Sequence, residues 1–305
     1  MLGLLATLAD GVRGCYRGCQ GSDTARVASC YNGFSWYMGT TVFTHRWNPS
    51  GIVLDNVPGI YLLHGTGEHA GRYHRLASTL SDAGWQVGAH DHPGHGKSEG
   101  KRGLIYPAGS LAVQAAIQIQ AFACETGAPP IVFGHSLGGV LATELVLDYH
   151  LPIAGLILSA PAYAPYIGKL NKLKLKLLSA TAPELCLDLG YDPARLTHDA
   201  DERKAASRDE LIHGYKSATF VNWLMTTGQR ALHNAEQLTV DTLMLIAGAD
   251  PVVDSVKTRQ FVRDAVNADI TVYDYEGYFH ELLNEKPVWR DQVTLDILQW
   301  LERYQ

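Results

Sequence analysis

Seven short apolar runs recur along the chain, at 41–45, 60–64, 85–90, 131–134, 155–159, 242–248 and 270–275, with helix-like segments between most of them. The rhythm predicts an α/β protein whose central sheet is mostly parallel, with helices on both faces. Between Pro161 and Glu236 the strand pattern stops and then resumes, which marks an insertion. Near the C-terminus, Val293, Ile297, Trp300 and Leu301 fall at i, i+4, i+7 and i+8 and make one apolar helix face that should pack on the sheet. Residues 1–30 carry little periodicity and read as an extension. The organisation expected is an extension at 1–30, a core built from 31–161 and 237–305, and an inserted cap at 162–236.

One turn carries chemistry. Gly134-His135-Ser136-Leu137-Gly138 follows the apolar run Ile131-Val132-Phe133 and precedes a helix-like stretch, so Ser136 sits on a sharp strand-to-helix turn, a nucleophile elbow. The flanking glycines allow strand and helix to approach closely. The turn leaves the N–H of Leu137 near the positive end of the helix, where it can meet developing negative charge. A hydroxyl needs a base and the base needs an orienting carboxylate. Asp250 lies just past the run 242–248, and His280 lies on the loop after the run 270–275. Ligand sites in open α/β sheets lie outside the carboxyl ends of the strands, so all three residues are expected at one edge. Asp254, four residues on, is the alternative acid; Asp250 is closer to the strand end, and Asp254 suits the cap of the following helix. The chain order Ser, Asp, His is the α/β-hydrolase order. A second oxyanion donor should come from the glycine-rich loop after the run 60–64, with the N–H of Thr66 as the candidate; the bland reading is an ordinary βα turn.

The string His64-Gly65-Thr66-Gly67-Glu68-His69-Ala70-Gly71-Arg72-Tyr73, the segment 89–100, the elbow with its extra Gly139, and the Asp250 and His280 loops together resemble the monoacylglycerol lipase and lysophospholipase branch of the α/β-hydrolase family. The likeness covers roughly residues 35–305. It implies the α/β-hydrolase fold with the cap inserted after the sixth strand. It further implies Ser136 as nucleophile, His280 as base, Asp250 as orienter, and the N–H groups of Thr66 and Leu137 as oxyanion hole. Glu68 and Arg72 are implied to shape the polar part of the pocket, or else to form a structural ion pair. Members of the animal type carry a second histidine three residues after the catalytic one; Leu283 stands there in this chain, which puts the glycerol end of the pocket in question.

Other signals are weaker. The spacing of His90, His92 and His95 lacks the acidic residue and final histidine of a metallo-hydrolase pattern, so no metal is expected. Gly96-Lys97-Ser98 resembles the tail of a phosphate loop, but Asp91 occupies the place of its first glycine and would repel phosphate. No cofactor is expected. With 305 residues, 46% of them apolar, the chain suits one α/β domain with an insertion. A net charge of −6 argues against nucleic acid as a partner. Five cysteines form no CxxC pair; Cys15, Cys19 and Cys30 lie in the N-terminal segment, while Cys124 and Cys186 read as isolated thiols, the pattern of a reducing compartment. A cytoplasmic location follows as the expectation. The stretch 169–178 mixes leucine and lysine. As a helix it is either a lipid-facing lid, giving peripheral membrane contact through the cap, or an ordinary cap helix with solvated lysines; residues 172–177 also alternate as a strand would. The expected activity is a serine carboxylic-ester hydrolase acting on monoacylglycerol-like or lysophospholipid-like esters. The alternatives are an esterase or thioesterase for short-chain or aromatic esters, and a non-catalytic binding protein on the same fold.

Overall fold

The computed structural model describes residues 40–51, 54, 57–167 and 169–305. The expected extension at 1–30 and its cysteines lie outside them. Nine strands are described: β1 (Thr44–Trp47), β2 (Ile60–Leu63), β3 (Val87–His90), β4 (Ile131–His135), β5 (Gly155–Ser159), β6 (Cys186–Asp188), β7 (Tyr215–Ser217), β8 (Thr242–Ala247) and β9 (Ile270–Tyr275). Seven form one sheet in the order β1-β3-β2-β4-β5-β8-β9, and β6 and β7 form a separate two-stranded ribbon. Only the β1–β3 pairing in the large sheet is antiparallel. The helices are α1 (His74–Asp82), α2 (Ser110–Thr126), α3 (Leu137–Leu147), α4 (Lys169–Thr181), α5 (Ala200–Arg208), α6 (Ala218–His233), α7 (Ser255–Asp264) and α8 (Pro287–Leu301).

The central strands are apolar on both sides because both faces are covered. Ile60 and Leu62 of β2 point into one layer with Leu76 and Leu80 of α1 and Val293 and Ile297 of α8. Tyr61 and Leu63 point into the other, with Ile119 of α2, Leu141 of α3 and Phe261 of α7. The alternation along one strand thus feeds two cores, and each fully buried aliphatic side chain contributes roughly 1.5–3 kcal/mol. The C-terminal apolar stripe is buried as its spacing requires.

Several boundaries differ from the sequence reading. Trp85 is fully buried but precedes β3, its N–H closing the turn after α1 by donating to Leu80. The first strand runs 44–47, not 41–45. Counted among the described residues, the inserted stretch follows the fifth strand. It holds α4, the β6–β7 ribbon, α5 and α6. Residues 172–177, which alternate in sequence, are helical. Cys124 is disulfide-bonded, which corrects its reading as an isolated thiol and removes part of the support for a reducing compartment. Cys186 is a free thiol. Among the described residues no helix is long and apolar enough to cross a membrane.

Candidate active site

β4 ends at His135 and α3 begins at Leu137, leaving Ser136 alone to make the turn. Its φ of 53° and ψ of −112° lie where residues with side chains are rarely found. The surroundings hold it there: the N–H of Ser136 donates to Ser159, and its carbonyl accepts from Gly139, Val140 and Ala162. Glycine is needed beside it. A Cβ on Gly138 would run into the Leu63 and His64 carbonyls, and one on Gly134 into the Gly138 carbonyl. Leu137 opens α3, so its N–H has no partner within the helix.

The parallel register brings three strand ends to one edge. Ser136 Oγ lies 2.8 Å from His280 Nε2, and His280 Nδ1 lies 2.6 Å from Asp250 Oδ2. The other Asp250 oxygen accepts from the N–H groups of Val252 and Val253, at 2.7 and 3.0 Å, so the carboxylate cannot rotate freely. Asp254 instead caps α7, accepting from Val256. All three side chains of the relay are buried. Burial pushes the His280 pKa down, but the charge and hydrogen bond of Asp250, with Glu281 and Glu68 beyond, outweigh it, so the imidazole ends above its ordinary 6.5. For Asp250, burial is outweighed by His280 and the two N–H donors, so its pKa ends low. His135, with its ring 4.9 Å from that of His280, is pushed down to about 4 by burial and by His280, and stays neutral.

Glu68 and Arg72 belong to a larger buried network. Arg72 reaches Glu68 at 2.7 Å and grips Glu281 with both terminal nitrogens, each at 2.7 Å. Tyr191, from the inserted segment, donates to Glu281 at 2.8 Å. Glu68 accepts from the N–H of Gly65 and from Tyr73, each at 2.7 Å, and so fixes the loop that carries Thr66. The guanidinium lies behind Glu68, away from the main cavity. Burial is outweighed by Arg72 at Glu281, whose pKa falls from 4.5 to about 2. Glu281 and Tyr191 carry no motif of their own, and His135 was named only as part of the elbow; adjacency to His280 and to Ser136 was the available signal for Glu281 and His135.

A cavity of about 450 Å³ opens over Ser136 and His280. Thr66 and Glu68 line one side, and the rest is largely apolar, with Phe220, Val221 and Leu224 of α6. Leu283, at the position where the sequence departs from the animal-type pattern, lines a narrow cleft with Arg72. The inserted segment is tied to the loops around Ser136: the backbone N–H of Glu281 donates to the Leu196 carbonyl at 2.8 Å, that of His213 to the Gly67 carbonyl at 2.9 Å, and the Arg195 side chain to the Pro251 carbonyl.

Most ring nitrogens of the histidines in the 90–95 stretch are taken up within the protein: His90 Nδ1 pairs with the Tyr61 hydroxyl at 3.1 Å and His95 Nδ1 with the Pro93 carbonyl at 3.1 Å, while His95 Nε2 is buried without a partner. His90 Nε2 pairs with His92 Nδ1 at 3.1 Å, and His92 Nε2 with the His64 carbonyl at 3.1 Å. Burial pushes all three imidazoles down, so they stay neutral. Among the described residues no group of three or more His, Cys, Asp or Glu is arranged to hold a metal ion. Asp91 is a tie, accepting from the N–H groups of Ala70 and Lys97.

The family profile described as Serine aminopeptidase, S33 matches residues 57–287. Monoglyceride lipase of Rattus norvegicus is 30% identical over 271 residues, covering 86% of this chain and 87% of that protein. An abhydrolase domain-containing protein of Dictyostelium discoideum is 29% identical over 269 residues, but the chain spans only 28% of its length. Among solved structures, the monoacylglycerol lipase of Paleococcus ferrophilus superposes with a TM-score of 0.77 at 29% identity, covering 87% of this chain and 100% of that one.

Proposed function

Because the chain belongs to the α/β-hydrolase family, in its monoacylglycerol lipase-like branch, we propose that it cleaves monoacylglycerol-like or lysophospholipid-like esters through Ser136, His280 and Asp250. It is a serine hydrolase of the carboxylic-ester class. The observation that carries the finer reading is the linked contact of hydroxyl, imidazole and carboxylate at 2.8 and 2.6 Å. In this mechanism His280 Nε2 takes the Ser136 proton as the oxygen attacks the ester carbonyl. Asp250 holds the Nδ1 proton and stabilises the imidazolium. The N–H groups of Thr66 and Leu137 hold the tetrahedral oxyanion, each worth about 3–4 kcal/mol in the transition state. His280 then protonates the leaving alcohol, and water repeats the sequence on the acyl-enzyme.

Glu68 meets the polar end of the ester, and Arg72 acts behind it by setting the position of Glu68 and Glu281. Residues 162–236 act as a cap. Its apolar wall on α6 takes the acyl chain, and α4 turns Leu173 and Leu177 outward, at 67% and 64% exposure. Together with exposed Tyr166 and Leu189 beside the cavity, these suit peripheral contact with a lipid surface. Turnover across 1- and 2-monoacylglycerols, lysophospholipids and short p-nitrophenyl esters tests the reading. The proposal expects long-chain single-acyl esters to be preferred, and Ser136→Ala to lower turnover on the order of 10⁶-fold. Turnover that survives this substitution would refute it.

A further inference from the structure

Both chain neighbours of His280 hang on the same short stretch of the inserted segment. On one side, the N–H of Glu281 donates to the Leu196 carbonyl at 2.8 Å. On the other, the N–H of Phe279 donates to Glu285 Oε1 at 2.8 Å, and the same oxygen accepts from His198 Nδ1 at 2.8 Å. Glu285 Oε2 accepts from the backbone N–H of His198 at 3.0 Å. The single helical turn Leu282–Asn284 returns the chain so that Glu285 meets Phe279, six residues earlier. The far end of the link is itself held. Thr197 donates to the Asn284 carbonyl at 2.6 Å and accepts from the N–H of Asp199, which caps α5.

Glu285 is fully buried, and among the described residues its ion-pair partner is His198 rather than a lysine or arginine. A carboxylate so withdrawn from water is costly unless its oxygens are spent on donors. Its two oxygens let one side chain hold both segments at once. An amide would accept with one atom and turn N–H groups toward donors with the other. His198 adds ring contacts, with centroids 3.7 Å from Phe279 and 5.4 Å from Trp289. Neither His198 nor Glu285 is among the described residues that line the cavity over Ser136.

We propose that Glu285 and His198 are positioning residues for His280: they fix Phe279, and through it hold Nε2 at 2.8 Å from Ser136 Oγ. The proposal rests on the ester-hydrolase reading of the site. A base displaced by about 1 Å costs on the order of 100-fold in rate, whereas the ester meets the same cavity wall as before. The expected signature is therefore a loss in kcat at constant KM.

Two readouts test it: steady-state kinetics on monododecanoylglycerol, and proton NMR of the His280 Nδ1–H, which the 2.6 Å contact with Asp250 moves downfield of the amides. His198→Phe keeps a ring against Phe279 and removes the donor; His198→Asn keeps a donor near the place of Nδ1 and removes the ring. His198→Phe should lower kcat roughly 10-fold with KM within about twofold of wild type, and should shift or broaden the downfield proton. His198→Asn should keep kcat within about threefold and leave that proton in place. Glu285→Gln should lower kcat roughly 10- to 100-fold at similar KM. Should Glu285→Gln not fold, the pair of variants at His198, whose side chain is 28% exposed, decides the matter. A loss in His198→Asn as large as in His198→Phe, or a rise in KM at unchanged kcat, would overturn the hydrogen-bonded link. Wild type that turns over no ester, with a downfield proton lost in His198→Phe and kept in His198→Asn, would sink the hydrolase reading and leave the positioning role. Wild type that turns over ester, with both variants matching it in kcat and in the proton signal, would do the reverse.

Discussion

Replacing Arg72 by methionine removes the one cation shared by two buried carboxylates. The three side chains are only 9%, 3% and 6% exposed for Arg72, Glu68 and Glu281, so water cannot replace the lost partner. Burial alone would push Glu281 up; Arg72 instead holds it at about 2 rather than 4.5. At about 1.4 kcal/mol for each tenfold step in the proton equilibrium, that fall corresponds to roughly 3 kcal/mol of folding free energy. The figure sits at the lower edge of the 3–5 kcal/mol typical of breaking a buried ion pair. The sign follows from the direction of the change. A carboxylate depressed in the folded state stabilises fully above its unfolded pKa near 4.5, and the contribution is lost as pH falls toward the folded value. Equilibrium urea unfolding of wild type and Arg72→Met should therefore differ by about 3 kcal/mol at pH 7, with the gap roughly halved by pH 3. A gap under about 1 kcal/mol at pH 7, or one of equal size at both pH values, would refute the reasoning.

Asp250 raises the His280 pKa against burial, so the rising limb of kcat/KM with pH should lie above 6.5. In Asp250→Asn the limb should move to lower pH and the plateau fall by about 10⁴-fold; a limb that stays in place would separate it from His280. Gly138→Ala should destabilise by about 1–3 kcal/mol, because the new methyl group meets the Leu63 and His64 carbonyls. An unchanged melting temperature by calorimetry would contradict that close approach.

What the sequence made legible was local chemistry attached to strand ends. Ser136, Asp250 and His280 each follow a compact apolar run, and parallel strands deliver such positions to one edge. The choice between Asp250 and Asp254 could be argued because helix capping is a local signal. The Arg72 grip on Glu281 was not legible: 209 residues separate them, and neither charge stands in a pattern that names its partner. Tyr191 was hidden for the same reason. The β6–β7 ribbon escaped because two three-residue strands are too short to show a period. In 172–177 the alternation of leucine and lysine matched a strand, but the helix α4 places Leu173 and Leu177 together on the outside.

In the proposed mechanism Ser136 is a nucleophile activated by His280. Intact-mass and peptide-mass spectrometry after treatment with a fluorophosphonate tests it directly. One adduct should appear, on the peptide carrying Ser136, and labelling should slow by orders of magnitude in His280→Ala. A protein that stays unlabelled, or one that labels at another residue with Ser136 untouched, would contradict the claim.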